Sequence, residues 1–310
     1  MIETDWLSVT PAILSAVAAV AAAIAAFISL SVSKQAKLIS EKSILAVHHG
    51  PAAIALTHAK EELKRNTENL LKYSQELTTK WPANIGKQDE SSLGGSNPRP
   101  LRHVLADAGE MLFQYGVQKQ RKYKSSSQHM FSIIRDGVNS LNDTEYEKLL
   151  KQADGEYLGF ENVFGTFSKK QRITESLAFR WSYYQLLRRI HENDWYNIWK
   201  EAWFDDGFLC KFKTEHNSIK TVLDSIIISL RLEKEKLSHS VYPLESNSSL
   251  FLKYEEFLDW LRTLNEDCDF EIVELYREHS CKEDSVALII YSIGVAFLSM
   301  ECIDKALGGL

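Results

Sequence analysis

Between Val117 and His129 the chain carries Lys119, Arg121, Lys122 and Lys124, with Tyr123 among them and no acidic residue. Four cations on one short segment can grip a phosphate backbone, anionic lipid headgroups or an acidic protein surface, because each is a charge-assisted contact with an anion. This run is the sequence's best candidate for binding an anionic ligand or lipid. Because the chain also carries an apolar segment of membrane length, lipid is the expected partner and nucleic acid is not.

No other grouping carries a recognisable chemistry. Of nine histidines, His48 and His49 are adjacent and so point about 100° apart on a helix. His191-Glu192 lacks the second histidine, four residues on, that a zinc-protease helix requires. Gly94-Gly95 has no following Lys-Ser/Thr, so it does not make a phosphate loop, and no Gly-x-Ser-x-Gly elbow occurs. Serine and histidine meet only at Ser238-His239-Ser240, where neighbours in sequence diverge around a helix and read as a polar helix end. Cys210, Cys268, Cys281 and Cys302 are scattered without a C-x-x-C pair, as expected of reduced, buried thiols rather than a disulfide or zinc scaffold. No catalytic residue, metal or cofactor is expected on these grounds.

Trp195, Trp199 and Trp203 recur every fourth residue, with Tyr196, Phe204, Phe208 and Phe212 nearby. On a helix they form one stripe, which can stack a nucleobase or lie at a membrane interface. Packing between helices explains the stripe with fewer assumptions.

The elements that would position these residues are helical. Only 14 Gly and 6 Pro occur in 310 residues, too few for many short strands and turns. Runs such as HVLADAGEMLFQYGV, ITESLAFRWSYYQLLRRIHEN, HNSIKTVLDSIIISLRLEKEKL and LFLKYEEFLDWLRTL show 3.6-residue apolar spacing. The predicted class is all-α: an N-terminal transmembrane helix, a helical stalk and a cytoplasmic multi-helix domain.

From Pro11 to Ser33 no residue is charged. As a helix this stretch spans roughly 34 Å, enough for the hydrocarbon core of a bilayer. No Lys or Arg precedes it, whereas Lys34, Lys37 and Lys42 follow, so the positive-inside rule predicts a single-pass inner-membrane protein with its N-terminus outside and its bulk cytoplasmic. A second apolar run, residues 285–300, is short for a span and reads better as a core helix, although its use as a second span would make the protein a pore component.

After the span, Gly50-Pro51 is expected to break or kink the helix. Beyond it, Leu56, Ala59, Leu63, Asn66, Leu70, Tyr73 and Leu77 follow coiled-coil spacing, with Asn66 in the place of a register-fixing polar residue. The stripe has two readings, a self-association seam and a docking face on the chain's own globular part. Small residues at Ser15, Ala19 and Ala23 add a second surface for close helix approach.

The predicted boundaries are 1–33 for tail and anchor, 34–80 for stalk or coiled coil, 81–102 for a Pro/Gly/Ser-rich linker, and 103–310 for the helical domain. The net charge of −6 divides unevenly, with residues 241–310 holding 14 acidic and 5 basic side chains, so acidic and basic regions can attract within or between chains. The combined expectation is a membrane-anchored, self-associating interaction, sensor or effector protein of the kind used in bacterial stress or phage defence. Its partners would be membrane lipid, a second copy of itself, and a protein or anionic ligand. The alternative is an enzyme whose site residues are dispersed along the chain.

Overall fold

A computed structural model describes residues 6–86, 101–118, 186, 192–204, 206–271 and 282–308; for residues 6–23 the description is of the helical backbone. Every regular element among these residues is helical, and none is a strand. The helices are α1 (Trp6–Gln75), α2 (Trp81–Gly86), α3 (Leu101–Gln118), α4 (Glu192–Trp203), α5 (Phe208–Ser238), α6 (Ser248–Asp267) and α7 (Lys282–Leu307). A π-helical turn, Glu76–Lys80, joins α1 to α2, and a 3-10 turn, Leu244–Ser246, lies between α5 and α6. Of the helical run 173–193, all but Leu186 and the first residues of α4 lie outside the described residues, as do residues 119–185 and 272–281.

Gly50-Pro51 does not end α1, which is helical from Trp6 to Gln75. Proline disfavours a helical residue before it through a clash that involves that residue's Cβ. Gly50 has no Cβ, and the space around it is open. The remaining cost is the one hydrogen bond Pro51 cannot donate, which the bonded turns on either side outweigh.

The expected linker also begins later than residue 81. Residues 81–86 are the helix α2, in which Trp81 and Ile85 are buried. Pro82 cannot donate to the carbonyl of Thr78, and the π-turn sits where that bond is missing. Hydroxyls bind back onto carbonyls through this region: Ser74 donates to Leu70 at 2.8 Å, Thr78 to Ser74 at 3.2 Å and Thr79 to Gln75 at 2.6 Å.

The chain forms two compact units, one of Met1–Ala55 with Glu233–Phe251, the other of Leu56–Leu232 with Leu252–Leu310. In the first, the side chains of α1 from Ile24 to His48 are exposed, save a half-buried Leu45. His49 is the first buried one; its Nε2–H donates to the carbonyl of Tyr242 at 3.0 Å, and the Tyr242 ring lies 4.9 Å from that of His48. Ser240 donates to the same carbonyl at 2.7 Å. Asn247 then starts α6, its side-chain oxygen accepting from the backbone of Leu250 and its carbonyl from Phe251.

In the second unit α7 is the central element, packed on α3, α4 and the π-turn. Phe113 stacks on Phe297 at 6.3 Å, and Gly109 faces Ile293. Both contacts advance in the same direction, so α3 and α7 run parallel. Against α1, Lys60 donates to the carbonyl of Leu307 at 3.5 Å and the Ser299 hydroxyl meets that of Ser74, already bonded to Leu70, at 3.4 Å, an antiparallel pairing. The α5–α6 hairpin is fastened by one buried and two partly buried polar contacts. His216 Nε2–H donates to the Leu264 carbonyl at 2.8 Å, Asn265 donates to Asp224 at 2.8 Å, and Lys220 pairs with Asp269 at 3.5 Å. Burial holds the His216 pKa below its ordinary value, although the Leu264 carbonyl favours the charged form. Cys268 and Cys302 are fully buried beside one another, and burial first, then the neighbouring Cys302, pushes the Cys268 thiol well up. Phe270, just past α6, takes a left-handed φ of 62°, a strain offset by its buried ring meeting Phe212 edge-on at 4.9 Å.

The residues whose side chains are described contain one helical stretch long and apolar enough to cross a membrane, Ser285–Leu307. Its most apolar window is 83% buried within the protein, which fits the core-helix reading of residues 285–300.

The α3–α7 contact yields a sharp test. A Cβ built on Gly109 would lie 2.3 Å from Ile293 Cγ2 and 2.7 Å from its Cβ, with the backbone nitrogen of Gly294 at 3.3 Å. Alanine favours a helix over glycine by about 1 kcal/mol, but here the two helices must separate to admit it. Gly109→Ala is expected to destabilise the second unit by about 1–3 kcal/mol, read as a lowered thermal midpoint; an unchanged or raised midpoint would mean the two helices do not approach this closely.

Candidate functional site

Among the described residues, those predicted from the sequence do not gather into a site. Lys119, Arg121, Lys122 and Lys124 lie outside the described residues. Leu56, Leu63, Leu70 and Leu77 lie inside a single chain's core, the last three at 0% exposure. A seam between two copies needs these side chains uncovered, and the chain covers them itself. Asn66 is half-buried and donates to its own helix, to the Glu62 carbonyl at 2.7 Å, rather than waiting for a counterpart. The burial fits the docking reading of the stripe, which the sequence could not separate from a seam because both need the same three-four spacing.

Trp195, Trp199 and Trp203 are likewise core residues, at 0%, 1% and 6% exposure, with the last two rings stacked at 5.6 Å. At the end of α5, the Ser238 hydroxyl donates to the Glu235 carbonyl and the Ser240 N–H to that of Leu237, the polar helix end expected there. Among the described residues no three His, Cys, Asp or Glu side chains gather as a metal site would require.

The structure instead assembles a cleft that the sequence did not reveal. It has a volume of about 630 Å³ and lies where α2 meets the corner between α4 and α5. That is within the range of roughly 300–1,000 Å³ typical of small-molecule sites. Its floor is apolar: Trp81 and Ile85 from α2, Ile198 from α4, and Phe208 at the start of α5, whose ring stacks on Trp81 at 6.3 Å. The polar lining is Asn84, Asn197, Lys200, Glu201, Asp206 and Lys211.

The corner is set by hydrogen bonds and by one glycine. Phe204 N–H donates to the Lys200 carbonyl, Gly207 N–H to that of Phe204, and Lys211 N–H to that of Gly207, each at 3.0 Å. A Cβ on Gly207 would sit 2.3 Å from the carbonyl oxygens of both Glu201 and Ala202, backbone atoms that cannot yield. On the α1 side of Lys211, Glu76 receives a 2.6 Å bond from Lys80, which holds its carboxyl below the usual value; burial opposes this and Lys72 and Lys211 reinforce it.

The polar groups facing the cleft are unspent. Lys200, Glu201 and Asp206 form no ion pair, and the Asn84 and Asn197 amides no hydrogen bond, among the described residues. The one sequence signal for this place was the turn-forming run Asp205-Asp206-Gly207 between two helical patterns. Nothing in it announced Asn84, more than a hundred residues earlier. No protein-family model matches the chain, and neither a curated protein nor a solved structure is similar to it.

The two readings of the α1 stripe predict different outcomes for Leu70→Ala. Truncating a fully buried leucine is expected to cost about 2–5 kcal/mol, seen as a lower thermal midpoint at unchanged particle mass in mild detergent. A seam between copies would show the reverse, a smaller particle with the fold intact.

Proposed function

We propose that the protein is a membrane-anchored interaction or sensor protein, held by the N-terminal part of α1 and presenting helical units on the side that bears Lys34, Lys37 and Lys42. The observation that carries this reading is the exposure of Ile24, Phe27, Ile28, Leu30 and Val32, each more than half exposed. At about 100° per residue these five spread over roughly 200° of the helix circumference, wider than the roughly 100° stripe that packs on one protein face, and the uncharged Ala25, Ala26 and Ser29 fill the remaining sector. Hiding each from water is worth about 1.5–3 kcal/mol, and a bilayer covers all sides at once. The same stretch belongs to the uncharged run from Pro11 to Ser33, and the lysines beyond it favour the cytoplasmic side.

The contrast with α7 supports the assignment. Both helices contain apolar stretches of comparable length, but those of α7 are spent on the protein's own core. Self-association belongs, in this reading, to the span itself, where Ser15, Ala19 and Ala23 recur at four-residue steps. The stripe from Leu56 to Leu77 holds the second unit together instead.

The full-length chain is expected to sediment with membranes and resist extraction by high salt and carbonate, and deletion of residues 1–33 to release a folded, helical fragment. Recovery of the full-length chain in the supernatant without detergent would refute the anchor.

A further inference from the structure

The cleft between α2 and the α4–α5 corner goes beyond the anchoring reading, because it needs no membrane to be a site. Its lining charges are two of each sign, Lys200 and Lys211 against Glu201 and Asp206. Any ligand that fills about 630 Å³ displaces the water on the cleft side of these groups, and a ligand charge set beside one of like sign is repelled while one of opposite sign is attracted.

That requirement sorts the ligand classes. A polyanion satisfies the two lysines and repels the two carboxylates. A polycation does the opposite. An uncharged apolar molecule suits Trp81, Ile85, Ile198 and Phe208 but strands all four charges. A molecule with one ammonium and one carboxylate on an apolar body leaves no sign unmatched. Complementarity of this kind fixes a ligand's direction as well as its class. The Asn84 and Asn197 amides add donors and acceptors of the kind that bind peptide groups.

We infer that the cleft binds a small zwitterion with an apolar body, the chemistry of a short apolar peptide with free termini. Glu201 and Asp206 take the amino end, Lys200 and Lys211 take the carboxylate, and the aromatic floor takes the side chains. All four charged side chains are exposed, so replacing them leaves the core untouched.

The test is calorimetric titration of the full-length chain in lipid nanodiscs, with empty nanodiscs as the blank. Three probes are used: Leu-Phe-Leu with free termini, its N-acetyl form and its C-terminal amide. The free peptide is expected to bind once per chain, and each cap to weaken binding at least tenfold. In the Lys200→Gln/Lys211→Gln variant, affinity for the free peptide falls to that of the amide, and the amide cap has no further effect. In Glu201→Gln/Asp206→Asn the same pattern holds for the N-acetyl cap. Thermal midpoints matching wild type exclude unfolding as the cause. The inference is overturned if the free peptide shows no saturable binding up to millimolar concentration. It is equally overturned if caps and charge variants leave affinity unchanged, or if an anion such as adenosine monophosphate binds where the peptide does not.

Discussion

The burial of α7 is the constraint on which the second unit depends. Val286, Leu288, Ile289, Ile290, Tyr291, Ile293, Val295 and Leu298 are all almost wholly removed from solvent, so this helix is apolar on every side and must be surrounded. Its polar residues fit that environment. Ser292 returns its hydroxyl to the Leu288 carbonyl at 2.7 Å, and Ser299 meets Ser74 of α1. Both donors would otherwise be stranded in a dry core. Around α7 the other helices take places that their sequences allow: α3 comes close because Gly109 has no side chain, and α1 lays its heptad stripe inward.

That arrangement explains why α1 changes character along its length. From Ile24 to His48 its side chains are almost all exposed, whereas after Gly50-Pro51 those of Ala52, Leu56, Ala59, Leu63 and Leu70 are buried. On the proposed anchoring, one continuous helix would serve two surroundings, with its apolar residues spread widely in one part and drawn into a stripe in the other. The large apolar residues from Ile24 to Val32 spread over roughly 200°, with only uncharged Ala and Ser between them, whereas the stripe at 56–77 suits a single packed face. The extension of helix through the π-turn to Gly86 carries Trp81 and Asn84 to the α4–α5 corner, so the cleft depends on the same rod.

The helical class was readable from scarce glycine and proline and from apolar periodicity, as were the core positions of the tryptophan stripe and of residues 285–300. Three things were not. The stripe from Leu56 to Leu77 has the same spacing whether it meets a second copy or its own chain, so only the three-dimensional neighbours decide. Gly50-Pro51 reads as a break because proline's penalty is local, while the opposing term, the bonded helix on both sides and the missing Cβ of Gly50, is spread along the chain. The cleft joins Asn84 to Asn197 and Asp206, and no periodicity within either segment encodes their meeting.

If α1 is the anchor, its apolar surface faces lipid while that of α7 faces protein. Photolabelling in vesicles with a lipid that carries a carbene-generating group in its acyl chain, followed by peptide mapping, separates the two helices. On this assignment label is expected within residues 11–33 and not within 285–307. Label concentrated in residues 285–307 would contradict it, because a helix buried among α1, α3 and α4 has no surface to offer the bilayer.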